Sequence, residues 1–186
     1  MKATIHIDNK GLIAEARQQP SPNCDSRPDD CPASLLVIHG ISLPPGKFGG
    51  PYIDQLFTNQ LNPAEHPYFA EIEHLRVSSH LLIRRDGELV QYVPLNHRAW
   101  HAGQSSFDGV ERCNDFSIGI ELEGTDSDPY TDAQYVTLGL VSLAIMQHYP
   151  DINLQRITGH CHIAPERKTD PGPCFDWPRY HDLLQS

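Results

Sequence analysis

The chain has 186 residues, of which 39% are hydrophobic, and a formal net charge of −10 at pH 7. This length suits one compact core, so we expect a single domain over residues 1–186. The acidic balance, without any long run of Lys and Arg, argues against a nucleic-acid partner. No apolar stretch approaches a membrane span or a signal peptide, so we expect a cytoplasmic protein with no membrane partner.

The first predicted element is a strand over Leu35–Ile38. Its four consecutive apolar residues, two of them β-branched, are typical of a buried strand. His39 follows directly, and Gly40 is expected to turn the chain. A single His at such a position is more often a packed or solvated residue than a metal ligand, so His39 gains meaning only together with other residues.

The middle of the chain predicts a helix and a hairpin. A short helix is expected near Tyr52–Thr58. The stretches Ser78–Arg85 and Glu88–Val93 predict two antiparallel strands joined by Asp86 and Gly87, because an Asp-Gly pair suits the positive φ angles of a two-residue turn. These strands are expected to belong to a sheet.

Two further strands and the main helix follow. The strands are predicted over Phe116–Leu122 and Arg156–His160. Between them, Thr131 and Gln134 have the form of a capping box, and apolar residues follow at helical spacing. The main helix is therefore predicted over residues 132–148.

The segment from Thr158 to Pro173 gathers side chains typical of an active site, namely His160, Lys168 and Asp170. Three prolines within it fix their own φ angles and favour extended geometry in the preceding residues: Pro165, Pro171 and Pro173. We therefore expect a stiff loop, without a regular helix, that holds the three side chains in one arrangement.

The last predicted helix covers Trp177–Leu184. Asp176 is its expected cap, and Pro178 lies in its first turn. No repeat or low-complexity tract is visible and the prolines are spread through loops, so the predicted fold class is α+β. In this fold, α-helices flank one central sheet, which is mixed or mostly antiparallel.

His39, His160 and Asp170 form a possible metal-binding set. Two neutral imidazole nitrogens and one carboxylate oxygen, with a fourth position left for water, are the ligands of a catalytic zinc site. Zinc there would lower the pKa of bound water to about 7 and polarise a carbonyl group, which is the chemistry of amide hydrolysis. The same residue types also form the facial triad of non-haem iron oxygenases, an alternative that elemental analysis would test.

The cysteines predict no disulfide framework. There are five: Cys24, Cys31, Cys113, Cys161 and Cys174. The odd number and the lack of a signal peptide favour free thiols. A structural cysteine-zinc site is the weaker alternative, because no Cys-x-x-Cys pair exists.

Six segments carry longer motifs: Val37–Pro51, His74–His80, Arg84–Glu88, Ala99–Gly103, Arg112–Gly124 and the proline-rich loop. They resemble the AmpD-type amidases, which are 1,6-anhydro-N-acetylmuramoyl-L-alanine amidases of bacterial cell-wall recycling. The resemblance covers about residues 10–182. It implies a peptidoglycan-recognition-protein-like amidase fold, a Zn²⁺ cofactor, an anhydro-muropeptide substrate and no obligate protein partner. In some bacteria it also implies an influence on β-lactamase induction.

The resemblance extends to catalytic residues. A carboxylate is needed to move protons to the departing amine. Glu121 and Glu123 have the same side-chain parity, and the motif match favours Glu121, which leaves Glu123 as a solvated or structural carboxylate. Lys168 is expected to stabilise the oxyanion, and its loss to lower the rate about a hundredfold or more.

Substrate contacts are also implied. Arg76 and Arg112 match substrate-contacting arginines, and a guanidinium binds a peptide carboxylate with two parallel hydrogen bonds. Trp100 and His101 could line the sugar side, where a Trp face packs against a pyranose, although a core Trp and a structural His101 remain open. Gly40 departs from the Asn of the family, so an amide contact is lost at this position.

Two further functions remain alternatives. A non-catalytic module that binds peptidoglycan fragments would lack bound zinc and amidase activity. An amidase acting on the intact wall would cleave polymeric peptidoglycan faster than anhydro-muropeptides.

Overall fold

The computed structural model describes residues 4–185. Its strands are β1 (Arg17–Gln18), β2 (Cys24–Ser26), β3 (Leu35–Ile41), β4 (Leu81–Ile83), β5 (Leu89–Gln91), β6 (His97–Ala99), β7 (Ser106–Phe107), β8 (Val110–Glu111), β9 (Ser117–Glu123) and β10 (Ile157–Gly159). Its α-helices are α1 (Tyr52–Phe57), α2 (Pro67–Ile72), α3 (Asp132–His148), α4 (His160–Ile163) and α5 (Trp177–Gln185).

Six strands form the central sheet in the order β1-β5-β4-β9-β3-β10. The pair β4 and β5 is antiparallel, and the other four neighbouring pairs are parallel. The prediction of an α+β fold with a mixed sheet is confirmed. Within this sheet, antiparallel pairing is limited to the predicted hairpin, because helices and long connections separate the other neighbours along the chain and permit parallel pairing. Two small antiparallel sheets, β2 with β6 and β7 with β8, lie outside it.

The two longest strands of the sheet, β3 and β9, are buried on both faces. On one face, Leu36 and Ile38 belong to a core that also contains residues of α3 and α5. On the other face, Leu35 and Val37 pack in a separate cluster with residues of the connecting segments. His39 has the parity of Leu35 and Val37, so its side chain projects on the face opposite α3.

Strand β3 is longer than predicted. It continues through His39 to Ile41, so Gly40 is a strand residue and the predicted turn there is wrong. A Cβ atom at position 40 would lie 2.5 Å from the hydroxyl of Tyr130, which donates a hydrogen bond of 2.8 Å to the carbonyl of Pro171. The missing side chain therefore makes room for Tyr130, and an Asn at this position would require its ring to move.

The predicted hairpin is present, with shorter strands and a different loop. The backbone N–H of Arg84 donates to the carbonyl of Glu88 at 2.9 Å, so the loop contains three residues and the predicted two-residue turn is wrong. In this loop only Gly87 has a positive φ, at +89°. A three-residue hairpin loop requires that conformation once, at its last position, which is where the Gly stands.

The last two predicted strands are present as β9 and β10, each displaced or shortened at its ends. The prediction that the following segment lacks a helix is wrong in part, because α4 forms a single helical turn that begins at His160. Lys168 and Asp170 lie in irregular backbone, as predicted.

Helix α3 has the predicted bounds and begins with the predicted capping box. The hydroxyl of Thr131 accepts from the N–H of Gln134 at 3.1 Å, and the Gln134 side chain accepts from the N–H of Thr131 at 3.0 Å. The same hydroxyl donates to the carbonyl of Arg85 at 2.7 Å. One side chain thus caps α3 and ties it to the hairpin loop.

Thr131→Ala is expected to lower the free energy of unfolding by about 1 to 2 kcal/mol, because it leaves an N–H at the start of α3 without an acceptor. For a chain of this size the thermal midpoint should fall by about 2 to 4 °C for each kcal/mol. Thr131→Ser keeps the hydroxyl and is the matched control. Equal midpoints for the Ala and Ser variants would contradict the capping role.

Two of the shorter helices, α1 and α5, were predicted from the sequence, and a third, α2, was not. Helix α1 is present near its predicted range, and in α5 the carboxylate of Asp176 caps the N–H of Arg179 at 3.0 Å, as predicted. Helix α2 was not predicted, although His66 and Pro67 begin it in a manner typical of helix starts. None of the helices in residues 4–185 combines the length and apolar character needed to cross a membrane.

Candidate active site

Two histidines and one aspartate converge on one point near the carboxyl ends of β3 and β10. The Nδ1 atoms of His39 and His160 are 3.0 Å apart, and Oδ2 of Asp170 lies 3.2 Å from the first and 3.1 Å from the second. Within residues 4–185, these three side chains form a group spaced to hold a metal ion. The fold thus brings His39 next to two residues that lie more than a hundred positions further along the chain.

The hydrogen bond on the outer side of His160 assigns a lone pair to the ring nitrogen that faces this group. Nε2 of His160 lies 3.1 Å from the carbonyl oxygen of Ala102, which can only accept, so Nε2 carries the hydrogen. In a neutral imidazole, Nδ1 then has a lone pair, and it faces the carboxylate oxygen of Asp170. Two acceptors at this distance repel each other unless a cation lies between them. The group therefore fits a metal ion.

Neighbouring elements hold the three side chains in place. Strand β10 pairs in parallel with β3, so His160, the first residue after β10, lies level with His39. Asp170 is held by its backbone, because its carbonyl accepts from the N–H of Cys161 at 2.8 Å. Burial lowers the pKa of His39 to about 4, so its imidazole is neutral at neutral pH, as a metal ligand must be.

Glu121 lies beside His39 on the adjacent strand. The parallel register pairs these two residues, which places their side chains on the same face of the sheet. The Glu121 side chain is buried, and its Oε2 atom has no hydrogen-bond partner. Burial, with a smaller contribution from the Asp170 carboxylate, raises the pKa of Glu121 well above its usual range. Such a carboxyl group is suited to exchanging protons near neutral pH.

Glu123 has a different environment from Glu121. Its carboxylate accepts from the backbone N–H of Gly49 at 2.6 Å and from that of Arg85 at 3.3 Å. Arg84 lies 3.7 Å away and supplies a positive charge. Glu123 is 1% exposed, so of the two predicted readings the structural carboxylate fits and the solvated one does not.

A cavity of about 370 Å³ lies against this group of residues. The polar part of its lining contains His39, Glu121, His160, Lys168 and Asp170. The apolar part comes from α1, from α2, from the segment that follows α2, and from the end of β3 with the loop after it. A substrate in this cavity would therefore contact the three possible metal ligands, the glutamate and the lysine at the same time.

Trp100 and His101 also line the cavity. The sequence analysis predicted that these two residues contact the sugar. The indole N–H of Trp100 donates to the carboxylate of Asp25 at 3.2 Å, which fixes the ring. Nδ1 of His101 lies 2.8 Å from Nε2 of His39. Burial holds the pKa of His101 well below its usual range, with smaller contributions from neighbouring histidines. His101 thus faces both the cavity and a possible metal ligand.

The two arginines predicted to contact substrate lie outside the lining of this cavity. Arg76 is exposed, and its guanidinium donates to the carbonyls of Glu73 and Leu75 at 3.0 and 3.2 Å. Arg112 is exposed, pairs with Asp115 at 3.2 Å and lines a second cavity of about 410 Å³. Their roles toward substrate stay predictions.

The cysteines are free thiols, as predicted. Sequence reasoning missed three residues that surround the site: Ser117, Gly119 and Tyr130. Gly119 had a recognisable signal, because a Gly inside a strand often marks a close approach of another group. The sequence could not show that this group is His101.

These features define a class of α+β proteins with a possible catalytic metal site. The mixed sheet carries two histidines and one carboxylate suited to a metal ion, beside an open cavity and a buried glutamate. The model of the N-acetylmuramoyl-L-alanine amidase family matches residues 29–173. The chain belongs to this family of amidases.

Individual relatives are similar over nearly the whole chain. The 1,6-anhydro-N-acetylmuramyl-L-alanine amidase AmpD of Salmonella typhimurium (strain SL1344) is 64% identical over 178 residues, which are 96% of this chain and 95% of that protein. A crystal structure of a Se-Met AmpD derivative superimposes with a TM-score of 0.93 at 64% identity, covering 96% of this chain and 99% of the other.

A more distant structure is that of the Escherichia coli amidase AmiD in complex with the substrate anhydro-N-acetylmuramic acid-L-Ala-D-γ-Glu-L-Lys. It superimposes with a TM-score of 0.60 at 27% identity, covering 96% of this chain and 65% of the other.

Proposed function

We propose that this chain is a zinc-dependent amidase of cell-wall recycling. It hydrolyses the amide bond between the lactyl group of 1,6-anhydro-N-acetylmuramic acid and the L-Ala of the stem peptide. The proposal rests on one observation, the convergence of His39, His160 and Asp170 with their acceptor atoms facing one another. The similarity to AmpD over nearly the whole chain supports the substrate. The proposal includes one domain over residues 1–186 that acts in the cytoplasm.

The spacing of the three ligand atoms supports zinc as the metal of this proposal. A tetrahedral zinc ion with metal–ligand distances of about 2.0 to 2.1 Å requires ligand atoms about 3.3 Å apart. The three atoms of this group are separated by 3.0 to 3.2 Å. Two nitrogens and one oxygen, with access from the cavity, are also the donor set of a catalytic zinc site. His39, His160 and Asp170 would hold the ion.

Zinc, when bound, would lower the pKa of a coordinated water and polarise the substrate carbonyl. Glu121 would accept the proton that the water loses as the new C–O bond forms. It would then deliver that proton to the amide nitrogen as the C–N bond breaks, so that L-Ala leaves as a free amine. A glutamate with a raised pKa can serve both as base and as acid.

Lys168 supplies positive charge on the same cavity wall. Its ammonium group would stabilise the negative charge that develops on the carbonyl oxygen, because a cation held near that oxygen is already in place when the charge forms. Trp100 and His101 would contact the sugar, and Arg76 and Arg112 the peptide carboxylates. Because the chain carries a net charge of −10, such arginines would matter for binding an acidic peptide.

Mass spectrometry of the products from a synthetic anhydro-muramoyl tripeptide tests this function. We expect release of anhydro-N-acetylmuramic acid and intact tripeptide, at a kcat/KM at least about tenfold above that for polymeric peptidoglycan of matched stem composition. Faster cleavage of the polymer would instead indicate an amidase of the intact wall.

Metal analysis separates the remaining alternatives. We expect about one zinc per chain, with activity lost to a chelator and restored by zinc. A protein with neither bound zinc nor chelator-sensitive activity would be a binding module, and iron as the active metal would favour an oxygenase.

A further inference from the structure

His39 is the first member of a chain of side-chain hydrogen bonds that leads away from the cavity. Its Nε2 atom lies 2.8 Å from Nδ1 of His101. Nε2 of His101 in turn lies 3.1 Å from the hydroxyl oxygen of Ser117 on β9. The two imidazole rings meet at an interplanar angle of 87°. The hydrogen-bonded side chains therefore follow the order His39, His101, Ser117.

The positions of the hydrogens on these side chains depend on which ring nitrogen of His39 faces the possible metal ligands His160 and Asp170. That atom is Nδ1, which lies 3.0 Å from its counterpart in His160. When Nδ1 holds a metal, the one hydrogen of a neutral imidazole sits on Nε2. Nε2 of His39 then donates to Nδ1 of His101, and His101 carries its own hydrogen on Nε2 and donates to Ser117.

The backbone of β9 is shaped to admit His101. A Cβ atom at Gly119 would lie 2.5 Å from Nδ1 of His101, so any larger residue there would push this acceptor away from His39. The backbone of His101 is held independently, because its N–H donates to the side-chain oxygen of Asn114 at 3.1 Å. His101 thus has a fixed backbone and one place for its ring.

We propose that His101 is a positioning residue for His39. Together with Gly119 and Ser117, it sets the tautomer and the ring orientation in which His39 binds zinc. This inference rests on the proposed function, because it assigns His39 as a ligand. A metal-bound imidazole whose second N–H has a fixed acceptor is the better ligand, and losing such a partner costs about 10- to 100-fold in metal affinity.

The test is the zinc dissociation constant of the purified full-length protein, measured with Zn²⁺ alone by competition with a chromophoric chelator. His101→Ala removes the acceptor and should raise Kd about 10- to 100-fold. His101→Asn places its amide oxygen close to the position of Nδ1 and should restore Kd to within about threefold of the wild type. His148→Ala, at an exposed position on α3, is the matched control and should leave Kd unchanged.

Gly119→Ala tests the same inference without removing a polar group. Because the added methyl displaces the ring of His101, its zinc Kd should rise together with that of His101→Ala. Circular dichroism of each metal-free variant shows whether the fold is kept. A His101→Ala protein that binds zinc with the wild-type Kd would overturn the inference, whereas a wild-type protein that binds no zinc would overturn the proposed function as well.

The tautomers can be read in the wild-type protein, so the inference does not depend on a variant that folds. In the zinc-loaded protein, ¹⁵N-¹H correlation spectra of the imidazoles should show hydrogen on Nε2 of His39 and on Nε2 of His101. A hydrogen on Nδ1 of His101 would overturn the inference, because that atom could not then accept from His39.

Discussion

Asp170→Ala should abolish stoichiometric zinc binding and lower amide hydrolysis by on the order of a thousandfold or more. The substitution removes the only negative charge in the group of three ligands and leaves two neutral imidazoles, which hold a divalent ion weakly. Without the ion, the attacking water keeps its ordinary pKa, far above the value of about 7 reached on zinc, so little of it is reactive at neutral pH. Zinc content and kcat/KM of the purified variant measure the two effects.

Thermal unfolding separates loss of zinc from loss of fold in this variant. A ligand present at about 100 times its Kd adds about 2.7 kcal/mol to the free energy of unfolding. Zinc should therefore raise the midpoint of the wild type and leave that of Asp170→Ala unchanged. Asp126→Ala, at a half-buried position outside the group of ligands, is a suitable control and should retain the response. A folded Asp170→Ala protein with full zinc content and activity would remove Asp170 from the ligand set.

Glu121→Gln should lower kcat by about 10²- to 10⁴-fold while the protein keeps its zinc and binds substrate with a KM within a few fold of the wild type. The two side chains have the same shape, but an amide cannot take up a proton from water and deliver it to the leaving amine. Glu121 is not one of the three residues whose side chains are spaced to hold the ion, so the metal content should be unchanged. Single-turnover rates on the anhydro-muramoyl tripeptide measure the chemical step.

Glu123→Gln is the matched control for this prediction, because it makes the same change two residues along the same strand. Glu123 holds the backbone at Gly49 and at Arg85, so we expect a lower thermal midpoint and a kcat within about tenfold of the wild type. If Glu121→Gln retained most of its kcat and Glu123→Gln lost it, the two roles would have to be exchanged.

Local patterns were sufficient for the elements that local interactions determine. The capping box at Thr131 and the helical spacing after it predicted α3 with its exact bounds, because both signals act within one or two turns of the chain. The apolar run Leu35–Ile38 predicted the buried first half of β3 for the same reason. The hairpin was predicted but its loop was not, since Asp86 and Gly87 are compatible with loops of two and of three residues.

The parts of the site that depend on strand register could not be predicted from the sequence pattern. Glu121 and Glu123 have the same parity, so alternation alone cannot distinguish them. The register of β9 against β3 does, because it sets Glu121 level with His39 and Glu123 level with Ile41. Likewise, the contact between His101 and Gly119 joins two segments that no local rule connects. The family motifs supplied what periodicity could not.

The two sides of the cavity have different origins, and this has a practical consequence. The reactive groups stand on β3 and β9, just after β10, and in the irregular loop that carries Lys168 and Asp170. Much of the apolar side comes from α1 and α2, two short helices of six residues each that carry none of these reactive groups. Library mutagenesis restricted to these helices should alter which muropeptides are accepted without disturbing the chemistry, which makes them the natural starting point for re-engineering selectivity.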